Sequence, residues 1–223
     1  MRALVTGANG FVGSALCRKL LQRGNRVRGL VRASSDLSLL GDLPIQLVPG
    51  DVRDPASLVE AMRGVDVVYH AAGAVSDWGP LEWFRQVNVY GTRNLLEAAA
   101  SNGVRRVVYV SSVAVHNFIG AQDMDETSPQ GPTPFPYSQS KREAEALALE
   151  YHQRGRVAVS IVRPGDIYGP GDRVALLRLA GLLRRGLLPY IDGGRALGAF
   201  TYVENLADGL ILAGEIPAAE GEV

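Results

Sequence analysis

Three side chains in this sequence have the types and spacing that proton transfer needs. Tyr137 and Lys141 lie four residues apart at the start of a helical pattern, so both project from one helix face. Because a nearby ammonium favours phenolate, we expect Lys141 to lower the pKa of Tyr137 from its usual value of about 10. That shift makes a tyrosine usable as an acid or base near neutral pH. Ser112 adds a hydroxyl at the end of an apolar run, where ligands of open α/β sheets bind. The alternative to a role in the chemistry is that this hydroxyl simply caps the end of the strand.

A glycine-rich turn near the N-terminus could hold a phosphate. Gly7, Gly10 and Gly13 follow a short apolar run and lead into a helical pattern. The spacing predicts a buried strand, a tight turn and a helix whose N-terminus faces an anion. Gly7 would permit the turn, Gly10 would let the backbone approach a pyrophosphate, and Gly13 would allow close helix–strand packing. Similar turns also occur without a ligand.

The elements that must position these residues alternate along the chain. Apolar, β-branched runs predict buried strands at Arg2–Thr6, Arg26–Val31, Ile45–Val48, Asp66–His70, Arg106–Val110 and Val157–Val162. Helical patterns between them cover Phe11–Arg23, Pro55–Met62, Leu81–Ser101 and Tyr137–Gln153. This alternation predicts an α/β fold, a doubly wound parallel sheet with right-handed crossovers.

The pattern changes beyond Val162. Residues 163–172 are rich in glycine and proline and predict a loop. We then expect a helix at about Val174–Arg185, strands near Leu188–Ile191 and at Ala199–Val203, and a helix from Glu204 to about Ala213. Because the chain stops where another strand would begin, we expect this last region to be incomplete.

Composition excludes several classes of function. Lys+Arg and Asp+Glu balance at 23 each, so no nucleic-acid or anionic-membrane partner is indicated. Cys17 is the only cysteine, which excludes an intramolecular disulfide and a cysteine-cluster metal site, and we predict no metal. No apolar segment reaches membrane-spanning length, and no signal peptide precedes the first strand. We therefore expect a cytoplasmic protein that acts on a small molecule.

Eight motifs resemble those of the extended short-chain dehydrogenase/reductase superfamily, in its epimerase/dehydratase branch. They are Thr6–Gly13, Gly50–Val52, His70–Gly73, Val87–Thr92, Val110–Ser112, Tyr137–Lys141, Arg163–Asp172 and Phe200–Ala207. Together they extend over essentially the whole chain in the family's order. The resemblance implies a Rossmann dinucleotide-binding domain over residues 1–165. It also implies a partial substrate-binding region over residues 166–223, interleaved with the sheet.

The resemblance also implies residue roles. Tyr137 would be the catalytic acid/base, Lys141 would bind the nicotinamide ribose and tune Tyr137, and Ser112 would hydrogen-bond the substrate oxygen. The implied cofactor-binding residues are Gly7, Gly10, Phe11 and Val12 at the pyrophosphate, Asp51 and Val52 at the adenine, Ala71, Ala72 and Gly73 at the ribose, Asn88 near the strand ends, and Pro164 and Ile167 at the nicotinamide face. Asp51 could instead cap the next helix, and Asn88 could satisfy backbone groups.

The end of the second strand bears on the choice of cofactor. NAD-preferring relatives usually carry an acidic residue there for the ribose 2′-hydroxyl, whereas this chain has Val31 followed by Arg32 and two serines. A guanidinium beside hydroxyls suits a 2′-phosphate, so we predict that Arg32 binds NADP, with NAD as the alternative. Arg32 could also stack on the adenine or solvate a loop.

The residues after Ser112 narrow the reaction. The acid/base pair of the family's sugar-nucleotide dehydratases is replaced by Val113-Ala114. The first hypothesis is therefore an NAD(P)-dependent reductase similar to dihydroflavonol reductases and hydroxysteroid dehydrogenases, acting on a small ring-containing carbonyl or alcohol. A nucleotide-sugar epimerase with tightly bound cofactor is the alternative, and a non-catalytic dinucleotide sensor is a third hypothesis.

The resemblance extends to assembly. Relatives often dimerise through a four-helix bundle built from the helices equivalent to Leu81–Ser101 and Tyr137–Gln153. Both helices carry enough apolar positions to permit a homodimer of this kind.

Overall fold

Six parallel strands form the main sheet of the protein. A computed structural model describes residues 1–116, 123–173, 175–187, 191–195 and 198–223. The strands are β1 (Arg2–Thr6), β2 (Arg26–Val31), β3 (Gln46–Pro49), β4 (Val67–His70), β5 (Arg106–Val110) and β6 (Ala158–Val162). Their order across the sheet is β3-β2-β1-β4-β5-β6. The order reverses between β1 and β4, so the carboxyl ends of these two strands open the crevice where ligands of such sheets bind. The predicted doubly wound parallel sheet is confirmed.

Five α-helices accompany the sheet in the described part of the first 153 residues. They are α1 (Phe11–Gln22), α2 (Pro55–Ala61), α3 (Leu81–Phe84), α4 (Tyr90–Ser101) and α5 (Pro136–Gln153). Asp54 caps α2 by accepting a hydrogen bond from the Ala56 amide at 3.1 Å, and Pro55 occupies the first helical position. A π-helical turn at Arg85–Val89 joins α3 to α4, so the single predicted helix contains one irregular turn.

The C-terminal region forms further elements around a second, two-stranded sheet. They are β7 (Asp166–Tyr168), α6 (Ala175–Arg184), β8 (Phe200–Tyr202) and α7 (Val203–Glu215). The prediction of a loop throughout residues 163–172 is wrong in part, because β7 pairs in parallel with β8. Of the predicted strand near Leu188–Ile191, residues 188–190 lie outside the described part of the chain. Ile191 begins a short 3₁₀ turn instead. None of the described helices is long and apolar enough to cross a membrane.

Two apolar clusters fill the two faces of the sheet. On one face, α2, α4 and α5 contribute buried residues such as Leu58, Leu96 and Ala148. On the other face, α1 and α7 bury Leu16 and Leu210. Both clusters bury side chains of at least four of the parallel strands, which explains why those strands read as continuous apolar runs. The C-terminal region therefore completes the core of the dinucleotide-binding fold through α7.

Candidate active site

The glycine turn after β1 packs directly against the segment that follows β4. Gly7 has a φ of +65°, a conformation that favours glycine, and a Cβ there would come within 2.9 Å of the Ala72 backbone. A Cβ on Gly13 would collide with the Gly7 carbonyl oxygen. Gly13 therefore lets the first turn of α1 pack closely against the glycine turn. The close contact of Gly13 is with Gly7 and Ala8, not with the strand as predicted.

A cavity of about 460 Å³ opens beside this turn. Eight predicted cofactor-binding residues line it: Gly7, Gly10, Arg32, Asp51, Val52, Ala71, Ala72 and Gly73. The lining also includes residues that sequence reasoning did not assign to the cofactor: Asn9, Leu30, Val31, Ser35, Gly50, Arg53, Ala74, Val75, Trp83 and Val87. The cavity thus lies at the reversal of strand order, between the ends of β2, β1 and β4.

The chemistry of this cavity fits a dinucleotide. In the described part of the chain no side chain caps the first turn of α1, whose amide groups remain able to bind an anion. Gly7 lets the turn pack against the Ala72 backbone, whereas Gly10 lines the cavity without a side chain, so its backbone is open to close approach. A pyrophosphate at the turn would therefore meet N–H donors and the positive end of the helix dipole.

Charged groups stand at the β2 and β3 end of the cavity. The Asp51 carboxylate accepts hydrogen bonds from Nε and Nη2 of Arg53 at 3.0 and 2.7 Å, and these contacts lower the pKa of Asp51. The Ser35 hydroxyl accepts a hydrogen bond from the Arg32 amide at 3.1 Å. The exposed Arg32 guanidinium makes no ion pair with a described carboxylate. Arg32 therefore supplies positive charge to this end, whereas Arg53 offsets Asp51.

Behind the glycine turn, His70 joins β1 to α4. Its Nδ1 lies 2.8 Å from Thr6 Oγ1, and its Nε2 lies 3.0 Å from Thr92 Oγ1. The Thr92 hydroxyl donates to the Asn88 carbonyl at 2.6 Å, so His70 Nε2 must donate to Thr92 and its Nδ1 must accept from Thr6. Complete burial lowers the pKa of His70 to about 3, which keeps this ring neutral.

Asn88 continues the same set of hydrogen bonds towards α5. Its side chain accepts from the Ala74 amide at 2.7 Å and donates to the Ala74 carbonyl at 3.1 Å. It also donates to Ser140 Oγ at 2.9 Å, and Ser140 in turn donates to the Tyr137 carbonyl at 2.7 Å. The buried Asn88 therefore fixes the lining segment after β4 relative to the helix that carries Tyr137.

The structure brings Ser112 and Tyr137 together. Ser112 follows β5, and its hydroxyl lies close enough to the Tyr137 side chain to favour the phenolate. Burial has the larger effect and raises the pKa of Tyr137 above its usual value. The expected lowering of that pKa is therefore wrong, because desolvation outweighs the favourable contact.

Lys141 lies beneath the pair rather than against the tyrosine hydroxyl. Its Nζ donates to the Val110 carbonyl at 2.6 Å and stands 4.4 Å from the centre of the Tyr109 ring. Complete burial lowers the pKa of Lys141 to about 7, while the Glu145 carboxylate acts in the opposite direction. The ammonium is thus held at the end of β5, one helical turn from Tyr137.

Seven predicted cofactor residues lie outside the cavity lining: Asn88, Tyr137 and Lys141, described above, and Phe11, Val12, Pro164 and Ile167. Pro164 is buried, and its carbonyl accepts a hydrogen bond from the Val113 amide at 3.0 Å, which places it beside Ser112. Ile167 lies on β7 and packs against the core cluster of α1 and α7, as Val12 does. Phe11 begins α1 and lies beneath the turn at Gly171. Their predicted cofactor contacts remain predictions.

Aromatic rings connect the cavity to Tyr137. Trp83 lines the cavity and packs edge-on against Phe84 at 4.7 Å between ring centres. Phe84 in turn lies 6.3 Å from the Tyr137 ring. Trp78 is 77% exposed and lies 6.4 Å from Phe135, which immediately precedes α5. An apolar, ring-bearing surface therefore lies next to the tyrosine.

Sequence reasoning missed Glu145 and Arg163, which form a buried ion pair at 2.5 Å behind the Ser112–Tyr137 pair. The signal for Glu145 was its position four residues after Lys141, on the face of α5 that already carries Tyr137. Arg163 carries no such local signal, because it reaches Glu145 from the end of β6.

Comparison with known proteins gives the family. The sequence model of the NAD-dependent epimerase/dehydratase family matches residues 3–223. The chain is 34% identical over 212 residues to the 2-alkyl-3-oxoalkanoate reductase of Stenotrophomonas maltophilia, which covers 93% of this chain and 63% of that protein. It is 35% identical over 217 residues to the 4-hydroxy-2-methyl-3-oxo-4-farnesyl-3,4-dihydroquinoline-1-oxide ketoreductase of Stigmatella aurantiaca, which covers 96% and 65%. The chain thus spans less than two thirds of the length of each of these relatives.

A solved structure agrees with this assignment. The dTDP-glucose 4,6-dehydratase of Streptomyces venezuelae, solved with NAD bound, superposes with a TM-score of 0.87 at 30% identity, covering 100% of this chain and 74% of that chain. The chain belongs to the NAD-dependent epimerase/dehydratase family, within the extended short-chain dehydrogenases/reductases.

Proposed function

We propose that the protein is an NADP-dependent carbonyl reductase that converts a ketone of a small, ring-containing molecule into a secondary alcohol. The observation that carries this proposal is the proximity of the Ser112 and Tyr137 hydroxyls at the end of β5, which Phe84 and Trp83 connect to the cavity beside the glycine turn. The names of the two relatives, a reductase and a ketoreductase, favour net reduction over epimerisation.

The chain's own residues would divide the work as follows. A bound nicotinamide dinucleotide supplies the hydride for the carbonyl carbon. Tyr137 gives its hydroxyl proton to the carbonyl oxygen, and the pair of electrons from the C=O π bond forms the new O–H bond. Ser112 donates a hydrogen bond to the same oxygen while negative charge develops on it. The products are an alcohol, the oxidised dinucleotide and a tyrosinate that takes up a proton.

Lys141 would stabilise that tyrosinate. Its ammonium is buried one helical turn from Tyr137, where a positive charge acts more strongly than it would in water. The raised pKa of Tyr137 keeps the hydroxyl protonated, which suits a residue that must donate a proton in the direction of reduction. The proposed Ser-Tyr-Lys mechanism therefore needs no lowered tyrosine pKa.

Tyr137→Phe tests this assignment. Removal of the hydroxyl should lower kcat for NADPH-dependent ketone reduction between about a hundredfold and about ten-thousandfold, because the proton donor is lost. The NADPH dissociation constant, measured by fluorescence titration, should change little. Tyr151→Phe is the matched control, since Tyr151 lies on the same helix and its hydroxyl contacts Glu97 instead. Retained turnover in Tyr137→Phe would exclude Tyr137 as the acid.

The preference for NADP is proposed from the charge at the β2 end of the cavity. The exposed Arg32 guanidinium could form charge-assisted hydrogen bonds with a 2′-phosphate, with the Ser35 hydroxyl beside it. The Asp51 carboxylate, which also lines the cavity, is already paired with Arg53 at 2.7 Å. Positive charge is thus in excess at this end.

Arg32→Ala should weaken NADPH binding by about tenfold to a hundredfold, the usual effect of losing a hydrogen bond to a charged group. NADH binding should change much less, because NADH has no 2′-phosphate. Calorimetric titration of both dinucleotides measures the two effects. Arg63→Ala is the control, since Arg63 is exposed at the end of α2 and does not line the cavity. A wild-type protein that binds NADH more tightly than NADPH would overturn the cofactor proposal.

The aromatic surface beside Tyr137 supports the ring-containing substrate. Trp83 borders the cavity, and the exposed Trp78 and Phe135 continue the apolar surface. Flat rings pack well against such side chains. Incubation with NADPH and a panel of cyclic and open-chain ketones, followed by nicotinamide absorbance, identifies a reductase. Interconversion of sugar nucleotides without a net absorbance change would identify an epimerase instead.

A further inference from the structure

Glu145 is a carboxylate buried deep beside the proposed active site. It is 1% exposed, and it accepts hydrogen bonds from Ser111 Oγ and Gln130 Nε2, both at 2.7 Å. Arg163 adds two more, from Nε at 3.1 Å and from Nη2 at 2.5 Å, with a side chain only 9% exposed. A buried charge of this kind is costly, and a surface ion pair could hold the helix equally well. The location therefore calls for an explanation beyond stability.

The face of α5 that carries Glu145 binds the end of β5 at three successive positions. Tyr137, Lys141 and Glu145 follow one another at intervals of four residues on α5. They contact Ser112, the Val110 carbonyl and Ser111, respectively. Glu145 thus holds Ser111, which lies between Val110 and Ser112 at the end of β5.

Arg163 connects α5 to the segment after β6, where Pro164 and Ile167 are predicted to contact the nicotinamide. It immediately precedes Pro164, whose carbonyl accepts from the Val113 amide. Its Nη1 lies 3.1 Å from His116 Nε2 and donates to the Glu126 carbonyl at 2.9 Å. Since an arginine only donates, His116 Nε2 accepts this hydrogen bond. One guanidinium therefore joins the segment after β6 to α5 and to the residues after Ser112.

We infer that Glu145 and Arg163 are positioning residues for the proposed reduction, on which this inference rests. Their buried ion pair aligns the Ser112–Tyr137 pair with the segment at Pro164 and Ile167. The same carboxylate is the negative charge that accompanies the Lys141 ammonium in the interior. Neither residue needs to touch substrate or cofactor for these effects.

The surroundings of Lys141 make the role of this charge measurable. The groups that face it are the Tyr109 ring from β5, His70 from β4, and Tyr137 and Glu145 from α5. Burial keeps Tyr109, Tyr137 and His70 uncharged near neutral pH, since it raises both tyrosine pKa values and lowers that of His70. Glu145 supplies the negative charge that raises the pKa of Lys141. Arg163 contacts Glu145, and His116 contacts Arg163.

Lysine NMR can isolate this effect without turnover. Lys19 and Lys141 are the two lysines of the chain, so ¹³C-lysine labelling gives one resonance to follow and one internal reference. Glu145→Gln should move the Lys141 titration to lower pH by about one unit or more. Glu143→Gln is the matched control. Glu143 also lies on α5 and pairs with an arginine, Arg85, at 2.6 Å, but this pair is partly exposed.

Kinetics test the alignment. Glu145→Gln should lower kcat for ketone reduction by about tenfold to a hundredfold, the cost of a small misplacement of reacting groups, and should move the alkaline limb of its pH profile to lower pH. The double variant Glu145→Leu/Arg163→Met removes both charges and avoids an unpaired buried ion, so its folding should be preserved. The double variant should nevertheless have a kcat as low as that of Glu145→Gln. Its affinity for NADPH should change less than its kcat does.

The outcomes separate the two proposals. An unmoved Lys141 titration in Glu145→Gln would overturn the inference, as would a double variant with wild-type kcat and pH profile. If the wild-type protein reduces no ketone of the panel, the proposed function fails. The Lys141 titration then still decides whether Glu145 sets the charge of that lysine.

Discussion

At the scale of single residues, burial has a larger effect on the pKa values of Tyr137 and Lys141 than neighbouring groups do. Tyr137 has a raised pKa although the nearby Ser112 hydroxyl favours the phenolate, and Lys141 has a pKa lowered to about 7. Sequence spacing predicted that these residues share a helix face, which is correct. It could not predict their pKa values, because desolvation depends on the whole of the surrounding fold.

His70 should make the stability of the protein depend on pH. Its pKa is lowered to about 3 in the fold from a usual value of about 6.5, so the unfolded chain binds a proton that the native ring does not. The stabilisation is complete above pH 6.5 and is lost as the pH falls towards 3. The free energy of unfolding should fall by up to about 1.4 kcal/mol per pH unit in this range.

Urea unfolding between pH 6.5 and 5 can check this. The free energy of unfolding should change less steeply with pH in His70→Gln, which has no group that titrates at this position. His116 and His152 are present in both proteins and contribute equally to the two slopes. Equal slopes in the two proteins would show that His70 is not the residue responsible.

At the scale of elements, regular structure was predictable and irregular structure was not. Every helix and strand predicted in the first 162 residues is present with ends within one residue, because hydrophobic periodicity and caps are local signals. The π-helical turn at Arg85–Val89 has no such signal. Nor does β7, whose residues look like a loop until β8 pairs with them from far along the chain.

Two glycines of α7 should respond in opposite ways to alanine. Gly209 is exposed, and a Cβ at this position would meet nothing within 4 Å, so Gly209→Ala should stabilise the protein by about 0.5–1 kcal/mol. Gly214 is buried, and a Cβ there would lie 2.5 Å from the Tyr69 hydroxyl. Gly214→Ala should therefore destabilise it. Thermal or urea unfolding of the two variants measures both effects. If both substitutions stabilised the protein, or both destabilised it, the packing described for α7 would be contradicted.

At the scale of the whole molecule, the site is assembled from widely separated parts of the sequence. The glycine turn, the segment after β4, the end of β5 and α5 each contribute one part, and hydrogen bonds through His70 and Asn88 connect them. The order of the motifs predicted this assembly at the level of fold and cavity. The buried Glu145–Arg163 contact could not be predicted, since it depends on how β6 and α5 pack.

The place of β1 at the centre of the sheet has a consequence for folding kinetics. Thr6 is aligned with His70, 64 residues away, and Lys19 on α1 contacts Asp208, 189 residues away. Long loops must therefore close before the first strand gains its native neighbours, and folds dominated by such distant pairings form slowly. The glycine turn gains its contact with the Ala72 backbone only after the segment between β1 and β4 has folded back onto β1.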